Sequence, residues 1–194
     1  MPTPCPLTEA DIILRTRHDC TYVPVNVVGN YAYVEWACID VMNLKEPFYR
    51  LERRRRMLNT SVQFLMDYAD SLTVPHPPSA LIMHMSRCGS TLASRMLASL
   101  PSLVVLQEPN LIANLLEADC SMHSLPLRLV RSVYRTHAAL PARRGRRMVI
   151  KLRTLSPELL DMPLRCARAA FPSTPMYFVH RDPMATWESN GQST

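Results

Sequence analysis

An α/β fold with a parallel sheet covered by helices on both faces is what this sequence predicts, and two observations carry the prediction. From Ala80 onward, short apolar runs near 80–85, 103–107, 148–152 and 175–180 alternate with stretches at helical spacing. That alternation is the mark of βαβ units, whose strands are buried on both faces and so read as continuous apolar runs. The first run ends abruptly in Ser86-Arg87-Cys88-Gly89-Ser90-Thr91, and LASRMLASL then takes up helical spacing at once.

Elements before that region follow a different pattern. Residues 1–20 carry three early prolines and little periodicity. From Tyr22 to Ile39, apolar residues recur on both sides of Gly29-Asn30, which predicts a β-hairpin with a turn there. Tyr33 and Trp36 are expected to cover a core. Glu46-Pro47 is expected to open a long helix, since Pro suits a first helical turn and Leu51, Leu58, Val62, Leu65, Ala69 and Leu72 keep a spacing of three or four. VPHPPS at 74–79 ends it and makes a linker. The chain therefore divides into an N-terminal hairpin-plus-helix appendage, 1–75, and an α/β domain, 76–194. Helices in the second part are expected near 90–100, 110–118, 125–140 and 157–170, where Ser156-Pro157 is a good start, with a last one from about 184.

Composition excludes several functions. With 47% hydrophobic and 20% charged residues, the 194-residue chain is ordinary for a globular protein. No apolar run is long enough for a bilayer, and Glu9 and Asp11 interrupt any secretory leader, so a cytoplasmic protein with no membrane partner is expected. Six cysteines at 5, 20, 38, 88, 120 and 166 form no CxxC pair, so reduced thiols and no metal site are expected; His18 and Cys20 lack a second ligand pair. The net charge of +6 comes from 20 Arg and 2 Lys against 16 acids, with clusters at Arg53–Arg56 and Arg143–Arg147. No aromatics interleave with them, so they read as solvated faces, not as a nucleic-acid surface. A basic balance does suit a small, highly anionic ligand.

The chemistry is expected where ligands bind in open α/β sheets, beyond the carboxyl ends of the strands. After the first strand, Gly89 supplies an unrestricted backbone, Arg87 a fixed charge, and Ser90 and Thr91 hydroxyl donors ahead of a helix N-terminus. Such a turn points backbone N–H groups at an anion. After the second strand comes Glu108, followed by Pro109. Lys151 ends the third, a compact ammonium in a chain that otherwise uses arginine. His180, Arg181 and Asp182 follow the fourth. The loop is neither G-x-x-x-x-G-K-[ST] nor G-x-G-x-x-G, and G-x-S-x-G is absent, which disfavours nucleoside-triphosphate, dinucleotide and α/β-hydrolase readings.

These residues carry a family resemblance. SRCGST after a strand resembles the 5′-phosphosulfate loop, P-[KR]-S-G-[ST]-T, of sulfotransferases that use 3′-phosphoadenosine 5′-phosphosulfate (PAPS). Arg181-Asp182-Pro183 with Ser189 eight residues beyond the arginine resembles their 3′-phosphate motif. The resemblance covers about 80–194 and implies a P-loop NTPase-like three-layer sandwich. It implies that Arg87, Cys88, Gly89, Ser90 and Thr91 hold the 5′-phosphosulfate, and that Arg181 and Ser189 hold the 3′-phosphate. Glu108 is similar in position to the glutamate base of tyrosylprotein and bacterial members. Lys151 matches a strand-end lysine that, with Arg87, contacts the leaving phosphate. The implied reaction moves a sulfuryl group from PAPS to a hydroxyl or amine of a small-molecule, glycan or peptide acceptor, releasing 3′-phosphoadenosine 5′-phosphate (PAP), without a metal. Arg153 stands where cytosolic members usually have histidine, which moves the base to Glu108. Family members normally continue with a C-terminal segment that closes over the adenosine, so the domain is expected to be incomplete at Thr194. The alternatives are a P-loop small-molecule kinase and a non-catalytic nucleotide-binding remnant.

Overall fold

The four apolar runs do pair as a parallel sheet. The computed structural model describes residues 21–39, 58–74, 76–85, 88–117, 125–153 and 161–182. Within them, β4 (Ala80–His84), β5 (Leu103–Gln107), β6 (Arg147–Lys151) and β7 (Met176–Val179) lie in the order β5-β6-β4-β7. Every neighbouring pair is parallel. Helices α2 (Ser90–Ala98), α3 (Asn110–Leu116), α4 (Leu125–Arg143) and α5 (Asp161–Ala170) flank the sheet. The chain leaves β4 in one direction to reach β5, then returns to β6 and crosses over β4 to β7. With right-handed crossovers, that reversal puts α2 on one face and α3, α4 and α5 on the other.

Side chains alternate along each strand, so the sheet has two distinct faces. Leu81, Met83, Val104, Leu106, Met148 and Ile150 enter the main core with α3, α4 and α5. Ala80, Ile82, Val105 and Val149 form a smaller cluster against Leu97 and Ala98 of α2. The opposite side of α2 leaves Leu92 and Met96 exposed, and Leu100 just beyond the helix is exposed too.

The predicted hairpin is present as β1 (Thr21–Val28) and β2 (Tyr33–Ile39). Gly29, Asn30 and Tyr31 all take left-handed conformations in its turn. Pro24 is tolerated because β1 is an edge strand, and the register shifts between Pro24 and Asn26. The long helix is not as expected. Its first part falls outside the described residues, and Leu58–Ser61 is a strand, β3, antiparallel to β2. The helix proper, α1, spans Val62–Ser71, with the Ser61 hydroxyl accepting from the Phe64 N–H as its N-cap. Asn59, Thr60 and Ser61 are poor helix formers, and Thr60 gains as a strand residue the buried Trp36 indole N–H at 2.8 Å.

The hairpin, β3 and α1 share the main core with the α/β region, through Val23, Trp36, Leu65 and Tyr68 on one side and Leu129 and Val133 on the other. Two arginines of α4 strengthen that junction. Arg135 donates to the carbonyls of Ala69 and Leu72, each at 2.8 Å, at the end of α1. Arg131 donates to those of Ala169 and Ala170 at the end of α5. Cations on the last carbonyls of a helix satisfy orphan acceptors and oppose the negative end of its dipole. The expectation of reduced thiols fails: Cys38 and Cys166 are each disulfide-bonded, whereas Cys88 is free.

Candidate functional site

β4, β5 and β6 end side by side, and each contributes one polar side chain to the same small volume. His84 closes β4, Lys151 closes β6, and Glu108 follows the last residue of β5. Ile82 pairs with Lys151, so His84 stands two residues further out on the face that carries Lys151, the α2 face. Gln107, also buried, lies opposite Lys151 on β5.

Lys151 is the residue that demands explanation. Its side chain is 1% exposed, and an ammonium taken out of water costs several kcal/mol unless it is closely paired. The partner is Glu108, whose Oε1 lies 2.5 Å from Lys151 Nζ. The same oxygen lies 3.7 Å from His84 Nε2. Glu108 reaches this position through a left-handed backbone, φ 53°, braced by its N–H donating to the Lys151 carbonyl at 2.6 Å. A non-glycine residue in that region stores roughly 1–3 kcal/mol of strain, and such strain gathers at functional sites. With 19% of its side chain exposed, Glu108 is the member of the three with access to solvent.

His84 is the member of this cluster that the sequence pattern does not single out. In the sequence it sits within an apolar run, and a polar residue at the end of a buried strand is the available signal. Its ring is 6% exposed, and Nδ1 lies 3.0 Å from the Met85 carbonyl oxygen. A carbonyl only accepts, so Nδ1 carries a hydrogen and, in the neutral ring, Nε2 is the acceptor nitrogen facing Glu108. Burial pushes the ring below the ordinary histidine range. The Lys151 charge acts in the same direction, while the Met85 carbonyl, the Glu108 carboxylate and the Leu152 carbonyl oppose it.

The turn after β4, expected to bind an anion, has the expected backbone where it is described. Gly89 is the N-cap of α2 at φ 87°, and a Cβ there would meet no atom within 4 Å. Gly89 has no side chain to cap the helix, which leaves that role for its first-turn N–H groups to a ligand or to other groups. Cys88 is partly exposed, Ser90 is buried with its carbonyl accepting from Ser94 Oγ at 2.9 Å, and Thr91 is exposed. β7 pairs directly with β4, Val179 beside His84, so exposed Arg181 emerges from the strand next to the one feeding Gly89. Arg87 and Ser189 lie outside the described residues.

Arg153 is not at the site. It forms a bidentate pair with Glu117, Nη2 at 2.7 and 2.6 Å from the two carboxylate oxygens, and so ties the end of β6 to the end of α3. The basic run 143–147 lies at the amino ends of the strands, remote from Glu108, where Arg147 opens β6. A cavity of about 260 Å³ sits at that same far end, lined by Val74, His76, Tyr134, Arg146 and Met148 among others. Among the described residues, no group of three or more metal-ligating side chains gathers and no helix is long and apolar enough to cross a membrane.

Compared with family models, curated proteins and solved structures, the chain finds no match.

Proposed function

We propose that the chain is a PAPS-dependent sulfotransferase domain, with a P-loop-like α/β fold. The observation that carries the reading is the meeting, at one rim of a parallel sheet, of a buried lysine–glutamate pair with a helix N-terminus capped by glycine. The pair supplies a carboxylate held by an ammonium; the helix supplies N–H donors for an anion. Sulfuryl transfer needs both, since the acceptor must lose a proton while negative charge builds on the departing phosphate.

In this reading the turn Arg87, Cys88, Gly89, Ser90 and Thr91 holds the 5′-phosphosulfate, and Arg181 with Ser189 holds the 3′-phosphate. The acceptor oxygen or nitrogen attacks sulfur in line as the bond to the bridging phosphate oxygen breaks, and PAP leaves. Glu108, the exposed member of the pair, takes the acceptor proton. Lys151 holds Glu108 in its left-handed position and, with Arg87, lowers the cost of charge on the leaving phosphate. The cytoplasmic placement expected from the sequence competes with the disulfides at Cys38 and Cys166, which favour an oxidising compartment.

The test is ligand-dependent melting followed by turnover. PAP at a hundred times its Kd is expected to stabilise the protein by about 2.7 kcal/mol, with no comparable effect of ATP. Transfer of labelled sulfate from PAPS to a panel of hydroxyl and amine acceptors completes it. Stabilisation by ATP and not by PAP refutes the sulfotransferase and favours the kinase. PAP binding with no transfer to any acceptor makes the chain a non-catalytic nucleotide binder.

A further inference from the structure

Glu108 shares one oxygen between two buried groups of different chemistry, and only one of them can receive a proton. Lys151 Nζ carries three hydrogens and no lone pair, so it can donate to Oε1 but not accept from it. His84 presents Nε2 to the same oxygen at 3.7 Å, with its Nδ1 hydrogen committed to the Met85 carbonyl. We propose that His84 is the proton acceptor behind Glu108: the proton that Glu108 draws from the acceptor group comes to rest on His84 Nε2. The inference rests on the sulfotransferase reading and adds a step to it.

The step balances without any further reactant. The acceptor O–H or N–H bond breaks as its lone pair attacks sulfur, and a Glu108 O–H bond forms. That bond then breaks and His84 Nε2–H forms, which restores Glu108 as a carboxylate beside a new imidazolium. The electron pair of the broken S–O bond leaves with PAP. When the product has gone, the proton returns through Glu108, the solvent-accessible member, to water.

Geometry favours this route in both states of the ring. At rest, burial and the neighbouring Lys151 ammonium keep the ring neutral, so Nε2 has a lone pair to offer. After transfer, the imidazolium donates from Nδ1 to the Met85 carbonyl and has the Glu108 carboxylate and Leu152 carbonyl to stabilise its charge. The separation of 3.7 Å is one short approach from a hydrogen bond, and such contacts commonly tighten when substrate enters. The short Lys151–Glu108 contact keeps Oε1 in reach of the ring.

The deciding experiment is His84→Gln and His84→Ala, each with PAP affinity, steady-state turnover and a pH profile. His84→Gln is expected to keep PAP affinity within about twofold and to lower kcat at least tenfold, with the acid limb of the kcat profile shifted, since Glu108 still has to be ionised. Added imidazole is expected to restore part of the turnover of His84→Ala, an effect that lost packing alone does not produce. Turnover within twofold of wild type and an unchanged acid limb overturn the relay and leave the sulfotransferase reading standing. Absence of both PAP binding and PAPS turnover in the unmutated chain overturns the two together. If neither variant folds, long-range ¹⁵N correlation of the unmutated protein decides: unprotonated Nε2 at neutral pH is expected, and an Nε2–H tautomer refutes the relay.

Discussion

The pairing of Lys151 with Glu108 makes a quantitative prediction about stability that does not depend on any substrate. The two partners are unequally buried, 1% exposed for Lys151 against 19% for Glu108. Lys151→Met leaves a carboxylate that can recover some hydration, whereas Glu108→Gln leaves a full ammonium with no route to water. Removing one member of a buried pair typically costs about 3–5 kcal/mol. Glu108→Gln is therefore expected at the upper part of that range and Lys151→Met lower, at roughly 2–3 kcal/mol once rehydration of Glu108 is allowed for. Glu108→Gln also keeps the left-handed backbone, so the strain there persists in both variants. The double variant is expected to lose less than the sum of the two, because neither charge is then stranded, giving a coupling of about 1–3 kcal/mol. Urea unfolding at pH 7 on the four proteins measures all of these. Losses below about 1 kcal/mol for both single variants, or a larger loss for Lys151→Met than for Glu108→Gln, refute the account of Lys151 as a buried charge neutralised by Glu108.

Three more expectations follow from the packing. His137 is fully buried, and burial lowers it to about 4. Its unfolded form binds more protons between there and about 6.5, so stability is present above that window and is lost as pH falls through it, on the order of 3 kcal/mol. Urea midpoints across pH 4–7 should show a slope that His137→Gln reduces; an unchanged slope would rule this out. Arg135→Met removes donors from the carbonyls ending α1 and is expected to cost ~1–3 kcal/mol while keeping a single unfolding transition. Separate transitions by tryptophan fluorescence and far-UV dichroism would show instead that the N-terminal sheet and the α/β region unfold independently. Gly89→Ala meets no steric neighbour, so its cost is the backbone alone, about 1–2 kcal/mol, read as a fall in Tm. No fall would mean that the left-handed cap is absent in solution.

The chain's own arginines illustrate how far composition can mislead. An excess of twenty arginines over two lysines suited an anionic ligand. Arg131, Arg135 and Arg153 are instead spent on partners within the chain, two on helix ends and one on Glu117. Nothing in the spacing of α4 announces which of its arginines meet the carbonyls of elements tens of residues away.

What the residues determined unaided is the local order of the α/β region. The four strands and the start of α2 were legible because continuous apolar runs, a single glycine and an immediate change of period are encoded within a few neighbouring positions. Glu108 and Lys151 were legible as strand-end residues for the same reason. Tertiary structure alone decided the rest. Leu58–Ser61 is a strand because Trp36, more than twenty residues earlier, offers it a partner, and its apolar spacing fits a helix equally well. His84 joins Glu108 because the order β5-β6-β4 and the parallel register bring three separate strand ends onto one face. Period and propensity act between near neighbours, whereas sheet order and register arise only when distant segments compete for the same core.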